Sequence, residues 1–142
     1  MKILGLDLGS KTLGIAMSDP LGIIAQGIKT FTFKTAHYQH AICHLTKIVE
    51  TENITTVVLG LPLNTNNTEG ERAKITRRFA KKLEVATAVK VVLWDERFTS
   101  LQANRILIDG GVCQANRKKH IDQLAATIIL QSYLDRNRHL NS

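Results

Sequence analysis

Acids at three places in the chain stand where an acid is expensive or well placed for chemistry. Asp7 ends the apolar run Ile3-Leu4-Gly5-Leu6. Strand alternation puts it on one face with Ile3 and Gly5, with Leu6 and Leu8 on the other. A carboxylate on a buried strand needs a cation or several donors to offset its desolvation. Asp95 and Glu96 directly follow the apolar segment 89–94, and their spacing does not decide which of them faces a site. Asp122 heads the column Ala125, Ala126, Ile129 and Tyr133 of a helix read from about residue 119, so it faces the protein. An acid in a first helical turn also complements the helix dipole, which is the plainer reading of Asp122.

Carboxylates from two strand ends and one helix, with no Cys or His beside them, form a hard oxygen donor set. Such a set suits Mg²⁺ or Mn²⁺ rather than zinc. Two such ions, about 3.5–4 Å apart, activate a water and stabilise a leaving oxygen, which is the chemistry of phosphodiester hydrolysis. Cations for a phosphate backbone are available. Lys11 lies in the turn after Asp7, and Arg117-Lys118-Lys119-His120 ends two residues before Asp122. Arg77-Arg78, Lys81-Lys82 and residues 136–139 read as solvated basic faces. His37, His40 and His44 lack an acid or thiol that would complete a metal site.

The elements that position these groups follow from periodicity. Residues 2–9, 13–18 and 22–33 read as three strands joined by short turns, an antiparallel meander. Tyr38, Ala41, Ile42, Leu45, Ile48 and Val49 mark an amphipathic helix. Residues 54–61 form a buried strand, 61–70 a polar loop, 71–83 a basic helix and 89–94 another buried strand. Thr99-Ser100-Leu101-Gln102 is a capping box that opens a helix, and Gly110-Gly111 closes it. A last helix spans 119–137. The order βββαβαβαα predicts an α/β fold with a mixed five-stranded sheet and helices on both faces, as a single domain over residues 1–142. Chemistry in such a fold gathers at the ends of buried strands.

Composition agrees with a globular domain. The 142 residues are 44% hydrophobic and 22% charged, an ordinary balance. Nineteen Lys and Arg against twelve Asp and Glu give a net charge of +7, a surface that attracts phosphate polymers. Cys43 and Cys113 form no CxxC pair and read as reduced thiols. No targeting signal or membrane-spanning run is visible, so a soluble, cytoplasmic protein is expected, with no membrane partner.

Four motifs resemble those of one family. They are Gly5-Leu6-Asp7-Leu8-Gly9-Ser10-Lys11-Thr12-Leu13-Gly14-Ile15-Ala16; Gly60-Leu61-Pro62-Leu63-Asn64 followed by Glu69-Gly70-Glu71-Arg72-Ala73; Asp95-Glu96-Arg97-Phe98-Thr99-Ser100; and Asp122-Gln123-Leu124-Ala125-Ala126 running on to Leu130-Gln131-Ser132-Tyr133-Leu134. The family is YqgF, also called RuvX, of Holliday-junction-resolvase-like proteins described as pre-16S rRNA nucleases. The resemblance implies a ribonuclease-H-like fold and a metal-dependent nuclease that matures the 5′ end of 16S ribosomal RNA in assembling small subunits. It implies Asp7, Glu96 and Asp122 as catalytic and metal-binding acids, and so favours Glu96 over Asp95. On that basis Asp7 is expected to bridge two Mg²⁺ or Mn²⁺ ions while Glu96 and Asp122 hold one each. Lys11 and Arg97 would neutralise the phosphate, and Arg117, Lys118 and Lys119 would grip the strand. The chain departs from the family where a Met-Asp-Gly-like stretch is usual, having Thr65-Asn66-Asn67 instead.

Three rival readings compete with this one. A junction resolvase would need the same acids in a dimer acting on branched DNA, but no dimer surface is evident, which leaves a monomer or weak homodimer. A non-catalytic RNA-binding module would not need the acids. A sugar kinase or actin-like protein would need a second domain for which 142 residues leave no room. No GxxxxGK[ST] loop is present either.

Overall fold

A computed structural model of the chain describes residues 2–63, 66, 68–95 and 114–140, with side chains in the last span described for 121–137. Five strands form one sheet: β1 (Lys2–Leu8), β2 (Thr12–Ser18), β3 (Ala25–Thr32), β4 (Ile54–Leu61) and β5 (Lys90–Asp95). Helices α1 (Tyr38–Glu52), α2 (Glu71–Thr87) and α3 (Gln114–Leu140) complete the described elements. The helix expected over residues 99–110 lies outside the described residues, as does Cys113.

The strand order is β3-β2-β1-β4-β5. The meander β1-β2-β3 pairs antiparallel, while β1-β4 and β4-β5 pair parallel. Short turns permit the first arrangement and helical crossovers require the second. This is the mixed sheet of a ribonuclease-H-like fold, with β1 at its centre.

Alternation along β1 separates two cores. Leu4, Leu6 and Leu8, with Leu13 and Ile15 of β2, pack against Ala41, Ile42, Leu45 and Val49 of α1 and Phe79, Ala80 and Leu83 of α2. On the other face Ala16 and Val58 meet Ala126, Ile129, Leu130 and Leu134 of α3. Each buried leucine of this kind contributes roughly 1.5–3 kcal/mol. The helices thus cover both faces, and among the described helices α3 alone packs on the face that carries Asp7.

Several boundaries differ from expectation, among them the end of α3, which reaches Leu140 rather than 137. β3 begins at Ala25 rather than residue 22, because the Asp19 carboxylate accepts the Ile23 and Ile24 N–H groups at 2.7 and 3.0 Å and curls them into a turn. Helix α2 continues past Leu83 to Thr87 and stops at Ala88, which is left-handed at φ 58°. Its extra turn packs little, since Val85 is 86% exposed. Helix α3 begins at Gln114, not near 119. No helix of the described residues is long and apolar enough to cross a membrane.

Candidate active site

The site begins where β1 ends. Asp7 is half-buried on the α3 side of the sheet and pairs in register with Gly14 of β2. Residues opposite each other in an antiparallel pair lie about 4.5–5.5 Å apart at Cα. Gly14 is also where α3 touches the sheet. A Cβ at Gly14 would run into the Asp122 carbonyl oxygen. One glycine therefore has Asp7 on its flank and Asp122 above it. Farther along, a Cβ at Gly5 would lie 2.6 Å from Leu130 Cβ, so α3 rides directly over β1 as well. The absent side chains of Gly5 and Gly14 form the bed of the helix.

Thr12, first residue of β2, donates from Oγ1 to Asp122 Oδ2 at 2.7 Å. Its carbonyl accepts the Gly9 N–H at 2.7 Å, which closes the turn after Asp7. Thr12 thus holds one acid by its side chain and the loop beside the other acid by its backbone.

Because α3 starts at Gln114, Asp122 lies beyond its first turn. The dipole reading of Asp122 is therefore corrected, since that interaction fades within one turn of the helix end. Asp122 meets the sheet instead. The helix passes Asp122 over Gly14 and Leu130 over Gly5, so it runs from the C-terminal end of β1 toward its start. The backbone of Arg117, Lys118 and Lys119, one turn before Asp122, consequently lies toward the β1 end that also carries Lys11. Their side chains are outside the described set. The Lys11 side chain is exposed, while its carbonyl accepts the Phe33 N–H at 2.8 Å and fixes the turn.

Trp94 packs edge-on against Tyr133 of α3 at 5.5 Å, so it lies on Asp7's side of the sheet, and Leu93 packs in the opposite core. Alternation along β5 sends Asp95 away from the Asp7 face. Glu96 and Arg97 lie outside the described residues. Among the described residues no third Asp, Glu, His or Cys joins Asp7 and Asp122 in a metal-binding group. The two placed acids are half-buried hard oxygen donors, which fits Mg²⁺ or Mn²⁺ in character.

The basic faces resolve as structural in part. Arg77 forms a two-point pair with Glu69 at 2.6 and 2.7 Å, and Arg78 lies 3.7 Å from Glu71. The Arg77 hydrogen bond, with the Arg77 and Lys74 charges, holds Glu69 below the usual carboxylate range. His44 stacks on Phe31 at 4.3 Å, which gives the ring a packing role. Thr12, Gly14 and Arg72 stand inside the quoted motifs, but the sequence assigns them no role of their own. The recurring glycines in apolar strands were the available signal for close approach.

The family described as "RuvX: Holliday junction resolvase" matches residues 1–136. The "Putative pre-16S rRNA nuclease" of Geobacillus sp. (strain WCH70) is 47% identical over 135 residues, 95% of this chain and 98% of that protein. The protein of the same name from Bacillus subtilis (strain 168) is also 47% identical over 135 residues, with the same coverage. Among solved structures, T. thermophilus RuvC in complex with Holliday junction substrate superposes with TM-score 0.60 at 15% identity, covering 97% of this chain and 96% of that one. Fowlpox virus resolvase with Holliday junction DNA gives TM-score 0.59 at 15% identity, covering 96% of this chain and 99% of that one. At these identities the structural likeness speaks for the fold alone.

Proposed function

Because the chain belongs to the RuvX family, we propose that it is a nuclease that hydrolyses phosphodiester bonds in precursor 16S ribosomal RNA during small-subunit assembly. The observation that carries the reading is the meeting of Asp7 and Asp122 at Gly14. The names of relatives at 47% identity support the RNA substrate.

Asp7, Glu96 and Asp122 are the proposed catalytic and metal-holding acids. Alternation along β5 turns Asp95 away from the Asp7 face, which supports Glu96, the acid that the family resemblance favours. Asp7, on the central strand, would hold the metal together with Glu96 and Asp122. Bound there, Mg²⁺ or Mn²⁺ would lower the pKa of an attacking water and offset charge on the leaving 3′ oxygen. Thr12 steers the Asp122 carboxylate by its hydroxyl. Lys11 and Arg97 neutralise the phosphate, and Arg117, Lys118 and Lys119 hold the strand beyond it.

The family description favours one second reading, cleavage of branched DNA. Precursor 16S RNA and a four-way DNA junction, each incubated with wild type and Asp7→Asn at equal concentration in Mn²⁺, separate the two. Metal-dependent cleavage of the RNA, leaving 5′-phosphate and lost in Asp7→Asn, is expected. Cleavage confined to the junction would replace the substrate. RNA binding without cleavage by either protein would make this a binding module.

A further inference from the structure

Arg72 ties helix α2 to the end of β1. Its Nη2 donates to the Leu8 carbonyl at 3.1 Å and its Nη1 to the Tyr38 hydroxyl at 3.2 Å. Both acceptors are neutral, whereas Arg77 and Arg78 on the same helix face carboxylates.

The Leu8 carbonyl has a particular need. Leu8 ends β1, and the paired register with β4 stops at Leu6 and Leu59. Across a planar trans peptide the C=O and the next N–H point in opposite directions. The Gly9 N–H turns toward β2, where Thr12 accepts it. The Leu8 carbonyl therefore turns to the β4 side, beyond the last paired residues. A backbone acceptor at such a place requires a donor, and Arg72 provides one. The Leu8–Gly9 peptide is thus clamped at both ends, by β2 on one side and α2 on the other. The clamp adjoins Asp7, and the Thr12 that forms one jaw also holds Asp122.

We propose that Arg72 is a positioning residue of the active site: it fixes the plane of the Leu8–Gly9 peptide, and through it the direction of the Asp7 carboxylate and the Gly9–Lys11 turn, while Tyr38 aims the guanidinium. The proposal rests on the role assigned to Asp7 above. Lysine cannot replace arginine here, because one ammonium on a flexible stem does not present two donors in a fixed planar fork.

The test uses the full chain as wild type, Arg72→Lys, Arg72→Gln, Tyr38→Phe and Asp7→Asn. Three readouts are taken: exchange of the Gly9 amide by NMR, Mn²⁺ affinity from the EPR signal of the free ion, and kcat and KM on RNA. Arg72→Lys and Arg72→Gln should both speed Gly9 exchange and weaken Mn²⁺ binding by about 10-fold, the usual scale for groups that orient ligands from behind. They should lower kcat while leaving KM unchanged. Tyr38→Phe, which keeps the ring and the Leu8 contact, should move all three in the same direction by less. It keeps the idea testable should the Arg72 variants fail to fold. A folded Arg72→Lys with wild-type exchange and Mn²⁺ affinity overturns the proposal, as does a Tyr38→Phe indistinguishable from wild type where the Arg72 variants do not fold. Faster Gly9 exchange in the variants, combined with no Mn²⁺ binding and no cleavage by wild type, leaves the clamp standing and removes the nuclease reading instead.

Discussion

Thr12 and Asp122, 110 positions apart, are joined by a 2.7 Å hydrogen bond from hydroxyl to carboxylate. It connects the first residue of β2 to α3 on the side of the sheet where Asp7 lies. A hydrogen bond to a charged group is worth ~1.5–3 kcal/mol when neither partner returns fully to water. Thr12→Val keeps the shape and deletes the donor. It is expected to lower kcat/KM about tenfold, equivalent to ~1.4 kcal/mol, while urea unfolding loses roughly 1 kcal/mol. Thr12→Ser should restore most of both. A Thr12→Val enzyme with unchanged kcat/KM would show that Asp122 needs no steering.

Gly14 separates steric crowding from backbone strain. A side chain there would meet the Asp122 carbonyl, a backbone atom that cannot rotate aside. Gly14→Ala should therefore lift α3 from β2, costing ~1–3 kcal/mol or more, and abolish cleavage by displacing Asp122. Gly22 is the control. It has open space around it but φ +70°, so Gly22→Ala should cost only left-handed strain, about 1 kcal/mol, with cleavage intact. Equal activity in the two variants, measured beside their urea midpoints, would refute the seating of Asp122 on Gly14.

The sheet was legible because its signals are local. Val57-Val58-Leu59 is an apolar, β-branched run, and β4 occupies Ile54–Leu61 as expected. The parity that groups Ile3, Gly5 and Asp7 also held, since α3 packs on that face. The start of α3 was not legible. Gln114 to Lys119 continue the helix without an apolar stripe, so periodicity marks only the later part that packs. The shortened β3 depends on one carboxylate, Asp19, capturing two amides four and five residues on. The Thr12–Asp122 and Arg72–Leu8 bonds join residues 110 and 64 apart. No spacing rule reaches across such distances, so Arg72, although it stands in the second motif, carries no readable partner in the sequence.

Metal binding can be followed without any substrate. A ligand that binds only the folded state stabilises it by mass action, ~2.7 kcal/mol at 100 times its Kd. Mn²⁺ should raise the wild-type Tm in a concentration-dependent way, and EDTA should reverse the rise. Asp7→Asn and Asp122→Asn should abolish the shift and reduce cleavage by at least ~100-fold, the scale on which electrostatic groups act in the transition state. Asp95→Asn should keep both, because β5 turns that residue to the other face. An Asp7→Asn protein that Mn²⁺ still stabilises as wild type would place the ion elsewhere.

His44 predicts a pH dependence far from the acids. Its ring stacks on Phe31 at 4.3 Å, and Nε2 is buried without a hydrogen-bond partner among the described residues. Burial, then the Lys29 and Lys47 charges, holds this histidine below its ordinary range. As pH falls, the unfolded chain takes up the proton first. The unfolded state then binds more protons, so stability falls with falling pH. The loss begins as pH drops through the ordinary histidine value, about 6.5, and levels off once the folded ring is protonated. His44→Gln removes the titrating ring and its stacking. It should be less stable than wild type at about pH 8, with a flatter urea-midpoint profile down to about pH 5.5. Carboxylates titrate in both proteins alike, so the difference between the two profiles isolates the histidine. Parallel profiles across that window would show that the folded ring takes up its proton as readily as the open chain, so that burial does not hold it down.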